Sequence, residues 1–272
     1  MKILIAADME GIAGVVTWEH VDPDSKEYPR FRKLMTAEVN AAVRGACQGG
    51  AETVIVADGH AFGRNVLVEE IDPRARLHTG SPNPHGMVAG AAADVDGAIF
   101  IGYHARAGTE NAILDHTWSS KLVTNLWLND LLVGETGLNA ALCGHFDVPV
   151  LMVAGDQAVC REATNLLGNI ETVEVKQATG RMAAHCLAPE VAQEKIREAT
   201  TRAVLRLQDE DAPEPLRIST PVTLTIELHK SDMAEKAAFL PGARREERRV
   251  AFTAEDMMEA FQAMRSMLAL AD

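Results

Sequence analysis

The chain is short of positive charge. Its 26 Lys and Arg face 39 Asp and Glu, a formal net charge of −13, which argues against nucleic acid or an anionic membrane surface as partner. No apolar run approaches the ~20 residues of a membrane span. The four cysteines, Cys47, Cys143, Cys160 and Cys186, are scattered and form no C-x-x-C. They read as reduced core thiols of a cytoplasmic protein. A signal peptide is not expected, because the first apolar run is interrupted at Asp8. Internal repeats, low-complexity tracts and a complete G-x-G-x-x-G are also missing. What remains is a chain of 272 residues, 47% hydrophobic and 24% charged, which is the composition of a globular protein able to bury a core.

The organising stretch is the N-terminus. Ile3, Leu4 and Ile5 form an apolar run that stops at Asp8-Met9-Glu10-Gly11, as a buried parallel strand does. Asp8 and Glu10 are two apart, so in extended backbone they leave the same face. Two converging carboxylates repel unless a cation or a shared proton sits between them. A loop over 12–35 and a helix from about Thr36 to Gln48 lead to a second strand, Thr53 to Ala57, ending in Asp58-Gly59-His60. Strand, helix, strand predicts adjacent parallel strands whose ends face one crevice. Ala98 to Tyr103 delivers His104 in the same way, and Val150 to Ala154 ends in Gly155-Asp156. One polar residue at a strand end means little; the set carries the signal.

The remainder has a different texture. Leu126 to Val133 reads as a hairpin turning at Asn129-Asp130, and Gly134-Glu135-Thr136-Gly137 opens a helix through Cys143. A long helix is expected from Pro189 to Leu207, strands over Val222–Leu228 and Arg249–Thr253, and a last helix over Ala254–Leu270. Met257, Met258, Phe261, Met264 and Met267 on that helix read as core or subunit-contact residues. The fold class is α/β: a mainly parallel, Rossmann-like sheet flanked by helices, with a second α+β subdomain. The expected division sets 1–80 plus 145–190 against 81–144 plus 191–272, with a metal site between them.

Asp8, Glu10, His60, His104 and Glu135 are the candidate ligands. Mixed His and carboxylate donors suit zinc or a similar transition ion better than magnesium or calcium. The set exceeds the three protein ligands usual for one catalytic zinc, and so suits a two-metal site in which one carboxylate, naturally Asp8, bridges. Each residue also has a plainer reading. His60 and His104 could be satisfied structural histidines, and Glu135 a helix N-terminal carboxylate. Asp58 could form a turn before Gly59 or orient His60. His116 shows no partner in sequence and stays open between surface and function. His20, His78, His85, His145, His185 and His229 lack a strand-end context and read as surface or packing residues.

Taken in order, Asp8-Met9-Glu10-Gly11, Asp58-Gly59-His60, Gly102-Tyr103-His104-Ala105, His116-Thr117 and Gly134-Glu135-Thr136-Gly137-Leu138-Asn139 resemble the zinc D-aminopeptidases associated with bacterial dipeptide-transport operons. The likeness extends through Pro149 to Asp156 and the C-terminal Val250-Ala251-Phe252-Thr253 with its helix. The resemblance implies two zinc ions per chain bridged by Asp8, with Glu10 and His60 on one and His104 and Glu135 on the other. It implies that His116 is the general acid/base, that the substrate is a short peptide, and that the chain assembles into a ring-stacked homodecamer. The family pattern has Ser where this chain has Ala6, which removes a hydroxyl and not a ligand.

The expected function is therefore hydrolysis of N-terminal, D-configured residues from short peptides by a metal-activated water. Two other readings begin from the same strand end. A magnesium-dependent aspartate phosphatase would use Asp8 as nucleophile with a downstream Lys, and gives His60 and His104 no role. A nucleotide-binding protein would use the turn Gly11-Ile12-Ala13-Gly14 and needs no metal.

Overall fold

The computed structural model describes residues 1–209 and 211–272. In chain order the elements are β1 (Lys2–Ala7), α1 (Tyr28–Gln48), β2 (Thr53–Asp58), β3 (Ala75–His78), β4 (Gly97–Tyr103), β5 (Val123–Leu128), β6 (Leu131–Val133), α2 (Glu135–His145), β7 (Val150–Asp156), α3 (Gln157–Leu167), β8 (Glu171–Gly180), β9 (Ala183–Cys186), α4 (Pro189–Gln208), β10 (Val222–Leu228), α5 (Ser231–Ala237), β11 (Arg244–Glu246), β12 (Arg249–Ala254) and α6 (Met257–Ala271).

A seven-stranded sheet runs in the order β3-β2-β1-β4-β7-β8-β9, parallel except where β9 turns back on β8. Alternation along β1 divides the core. Ile3, Ile5 and Ala7 pack with α1 and α4 on one face. Leu4 and Ala6 face the other, where the core is continuous through α2 and α6 into a second sheet of order β11-β12-β10-β5-β6. That sheet is antiparallel throughout. This is the expected α/β sheet with an α+β companion.

Several expectations shift. The helix before β2 starts at Tyr28, eight residues ahead of the expected Thr36, so the preceding loop is shorter. Pro29 lies in its first turn, where the missing N–H costs nothing. Segment 81–144 contributes β4 to the middle of the large sheet, and α4 packs on α1. β4 by sheet membership and α4 by packing therefore go with the first unit, and we put that division forward on this ground. The methionines of α6 are buried within the chain: Met257, Met264 and Met267 join the shared core. Cys143 and Cys160 are buried, but Cys186 is exposed on the edge strand β9; all four thiols are free. Among the described residues no helix is long and apolar enough to cross a membrane.

Candidate metal centre

The large sheet reverses direction of winding at β1, which lies between β2 and β4. A crevice opens at such a switch point beyond the carboxyl ends of the strands. The backbone there is closely packed. Asp8 N–H donates to Ile101 O at 2.8 Å and Gly11 N–H to Gly102 O at 2.7 Å. A Cβ at Gly11 would collide with the carbonyl of Tyr103, and one at Gly102 with the carbonyl of Asp8. Gly102 also has φ +74°, a conformation glycine adopts freely. These two glycines let β1 and β4 deliver Asp8 and His104 side by side.

Every sequence-predicted ligand converges there, and all are buried. His60 Nδ1 lies 3.4 Å from Asp8 Oδ1 and 3.1 Å from Glu10 Oε2. His104 Nε2 lies 3.5 Å from Asp8 Oδ2 and 3.1 Å from Glu135 Oε1. The two oxygens of Asp8 thus face different histidines, dividing the cluster into two lobes that share one carboxylate. Glu135 arrives from the second sheet's side, as the first residue of α2 after the β5–β6 hairpin. Its Oε1 also accepts from Trp118 N at 2.8 Å.

His116 stands over both lobes. Its Nε2 is 3.6 Å from Glu135 Oε1 and 4.0 Å from Glu10 Oε1, and its ring stacks on His104 with centroids 4.0 Å apart. Trp18 meets it edge-on at 5.4 Å.

The outer nitrogens explain the inner ones. His60 Nε2 lies 2.9 Å from Val21 O, His104 Nδ1 3.1 Å from Ala105 O, and His116 Nδ1 2.8 Å from Leu114 O. Each carbonyl takes the proton of the nitrogen beside it, so a neutral ring presents a lone pair inward, the usual arrangement of metal-ligating histidine. Lone pairs then face carboxylate oxygens with no donor between them. Asp8 Oδ2, Glu10 Oε2 and His104 Nε2 have no hydrogen-bond partner at all. Buried polar atoms are rarely left so, and a divalent cation between them supplies what they lack. The donor set fits zinc.

Without a metal, protons must do this work. Burial opposes charge on His60, yet Glu10 and Asp8 hold its pKa well above the ordinary value. His104 is raised to about 10 against its own burial, chiefly by Glu135. Burial, then Glu10, raises Asp8 to about 7. Glu10 and Glu135 are also penalised by burial, but His60 and His104 respectively hold them low. His116 goes the other way: burial, and then the neighbouring His104, lower it, leaving a neutral ring.

Asp58 connects to His60 through the backbone and not through the ring. Its carboxylate accepts from the backbone N–H of Asn65 (2.5 Å) and Val66 (2.7 Å) and from Asn65 Nδ2 (2.7 Å), and Asn65 in turn donates to His60 O at 2.6 Å. The ring's own partner is the carbonyl of Val21, in the stretch expected to be plain loop. Asp156 is a helix cap: Oδ1 accepts from Ala158 N and Val159 N, and Oδ2 accepts from Ile113 N, fixing the segment that carries His116.

This geometry favours neither rival reading. The phosphatase requires a Lys beside the Asp8 carboxylate, but the buried Lys176 donates to the backbone carbonyls of Glu10, Ile12 and Val15. The nucleotide reading requires a helix to open at Gly11–Gly14, but α1 begins at Tyr28. Lys176 was invisible to sequence reasoning because nothing local marks a strand lysine as buried.

The cluster opens into a cavity of about 910 Å³ walled by Trp18, Phe62, Met87, Trp118, Arg265 and Leu268, roomy enough for a short peptide. Known proteins give the same picture. The family model described as D-aminopeptidase matches residues 1–266. The chain belongs to the D-aminopeptidase family. A D-aminopeptidase of Bacillus subtilis (strain 168) is 40% identical over 273 residues, covering 100% of this chain and 98% of the relative. The solved structure of the Zn-dependent D-aminopeptidase DppA from Bacillus subtilis, a self-compartmentalizing protease, superimposes with a TM-score of 0.95 at 40% identity, over 100% of this chain and 98% of that one. Membership in this family makes the chain a metallo-aminopeptidase.

Proposed function

We propose that the chain is a dinuclear zinc exopeptidase that removes N-terminal D-amino acids from short peptides. One observation carries the reading: the two oxygens of Asp8 face His60 and His104 separately, each histidine having its outer nitrogen anchored to a carbonyl. Asp8 would be shared between the metals, Glu10 and His60 would complete one site, and His104 and Glu135 the other. A zinc pair held there supplies an activated water and polarises the scissile carbonyl.

The chain's own residues do the rest. His116, neutral and with Nε2 directed into the cavity, takes a proton during attack and returns it to the leaving amine. Leu114 O keeps its tautomer, and the stacked His104 and edge-on Trp18 keep its plane. Asp22, a lining carboxylate outside the ligand set, receives the peptide's α-ammonium group, which confines cleavage to the first residue. We place the enzyme in the cytoplasm as a homo-oligomer. Its free thiols suit a reducing compartment and the similarity to a self-compartmentalizing protease supports assembly; the family resemblance makes a decamer the expected size.

Elemental analysis of purified protein, beside hydrolysis of D-Ala and L-Ala p-nitroanilides with and without chelator, tests this. About two zinc per chain and chelator-sensitive cleavage of the D-substrate alone are expected. Folded protein that takes up no transition metal would overturn the proposal.

A further inference from the structure

Beside His116 lies a second, smaller cavity of about 390 Å³, walled by Arg106, Asp115, Ser120, Asn125, Arg181 and His229. His116 and Ser120 line both cavities, so the imidazole facing Glu10 and Glu135 borders each of them. The charges of the small cavity do not balance. Asp115 is its one lining carboxylate, and it is engaged: Oδ1 accepts from Arg181 Nε at 2.6 Å and Oδ2 from Gly108 N at 2.7 Å. Arg181 is thereby matched. Arg106 is not.

The Arg106 guanidinium, half-buried, makes one side-chain hydrogen bond, to Ala107 O at 3.1 Å, and forms no ion pair with any described residue. The backbone that carries it is firmly held. Arg106 N–H donates to Glu162 Oε2 at 2.9 Å, and Ala107 N–H to Thr117 Oγ1 at 3.1 Å. A guanidinium without an ion pair in a concave site presents a planar fork of donors to a carboxylate. In a chain of net charge −13 such a cation stands out against the general field.

The proton-transfer group borders both cavities. A short peptide whose new amine leaves there carries a carboxylate at its other end. A leaving amine at His116 puts the C-terminal carboxylate of a di- or tripeptide one or two residues further on, each about 3.5 Å long. We infer, on the peptidase reading above, that the small cavity binds the C-terminal carboxylate of the peptide, with Arg106 as the pairing residue. The enzyme is then selective for peptides of two or three residues with a free C-terminus.

The test compares D-Ala-Gly with D-Ala-glycinamide, which differ only in that carboxylate, for the zinc-loaded wild type, Arg106→Met and Arg106→Lys. Zinc content and melting temperature establish that each variant is folded. The wild type is expected to prefer the free acid in kcat/KM by roughly ten- to a hundredfold, the span of a hydrogen-bonded charge, mainly through KM. Arg106→Met should lose most of that ratio, and Arg106→Lys should retain part of it. Equal efficiency on both substrates by wild type alone overturns the inference while leaving the peptidase standing. So does a folded Arg106→Met with the wild-type ratio, or loss of the ratio in Lys121→Met instead, which moves the carboxylate into the large cavity. Cleavage of neither substrate by wild type removes the peptidase reading and this inference with it.

Discussion

Lys176 Nζ, on β8, donates to the backbone carbonyl of Glu10 at 2.5 Å. The same ammonium donates to Ile12 O at 2.9 Å and Val15 O at 2.6 Å, so all three of its protons meet carbonyls of one loop. Burial pushes its pKa down to about 8, which still leaves it charged at neutral pH. On the other side Glu38 Oε1, from α1, accepts from Ala13 N–H at 2.8 Å. The turn that presents Glu10 is thus gripped from both ends. Lys176→Met strands three carbonyls in the interior. It should cost about 3 kcal/mol or more, given about 1–3 kcal/mol per unsatisfied buried group. Denaturant unfolding reads the loss, and chelator competition should show weaker zinc retention. Unchanged zinc affinity would show that Glu10 holds its place without the lysine.

His116 separates ligand from proton carrier. Its Nε2 lies with His104 and Glu135 in one possible three-ligand group, so its function is open to a direct check. His116→Gln is expected to keep full zinc content while kcat falls by roughly 10²–10⁴-fold, the usual range for a positioned acid/base. A fall in zinc content of the same variant would make it a ligand.

Zinc binding should release protons. In metal-free protein His60 is held well above its ordinary pKa and His104 at about 10, and both must be deprotonated to ligate. Titration of stripped protein with zinc at pH 7 should liberate roughly two to three protons per chain, two from the histidines and part of one from Asp8. Affinity should rise with pH. Calorimetry in buffers of different ionisation enthalpy measures the release; a heat independent of buffer contradicts it.

Glu38 predicts a pH effect away from the metal. Burial raises its pKa from 4.5 to about 7, against the opposing pull of Ala13 N–H and the Lys176 charge. A carboxyl raised on folding holds its proton more tightly in the native state, so its contribution is full below pH 4.5 and lost as the pH rises through 7. Glu38→Gln cannot ionise and should flatten the melting temperature over that interval. A wild-type and variant pair with parallel profiles would exclude this assignment.

Much of the site was legible because it lies where chain direction and strand ends coincide. Apolar runs ending in Asp8, His60 and His104 imply parallel strands, and parallel strands put their ends on one edge. Glu135 was marked by glycine punctuation before a helix. His116 carried no such mark and came only from family resemblance, since its loop has no periodicity and its nearest partners, Leu114 O and the His104 ring, differ in kind. Asp58 was left between a turn former and a partner of His60, and its route through Asn65 depends on a loop conformation that spacing does not encode. Pro29 misled because a proline reads alike in a loop and in the first turn of a helix.

The sequence by itself determined the parallel arrangement of the central strands, the ligand chemistry and the crevice that gathers it, because hydrophobic periodicity and strand polarity are local properties. Only the tertiary structure decided which nitrogen of each histidine faces inward, that Lys176 and Glu38 grip the Glu10 loop, and that the Arg106 guanidinium forms no ion pair among the described residues. The first turns on loop conformation, since Ala105 O and Leu114 O lie one and two residues from the rings they anchor; the others join residues distant in sequence, set by how β8, α1 and the loop after β4 pack, and no short window contains both members of those pairs.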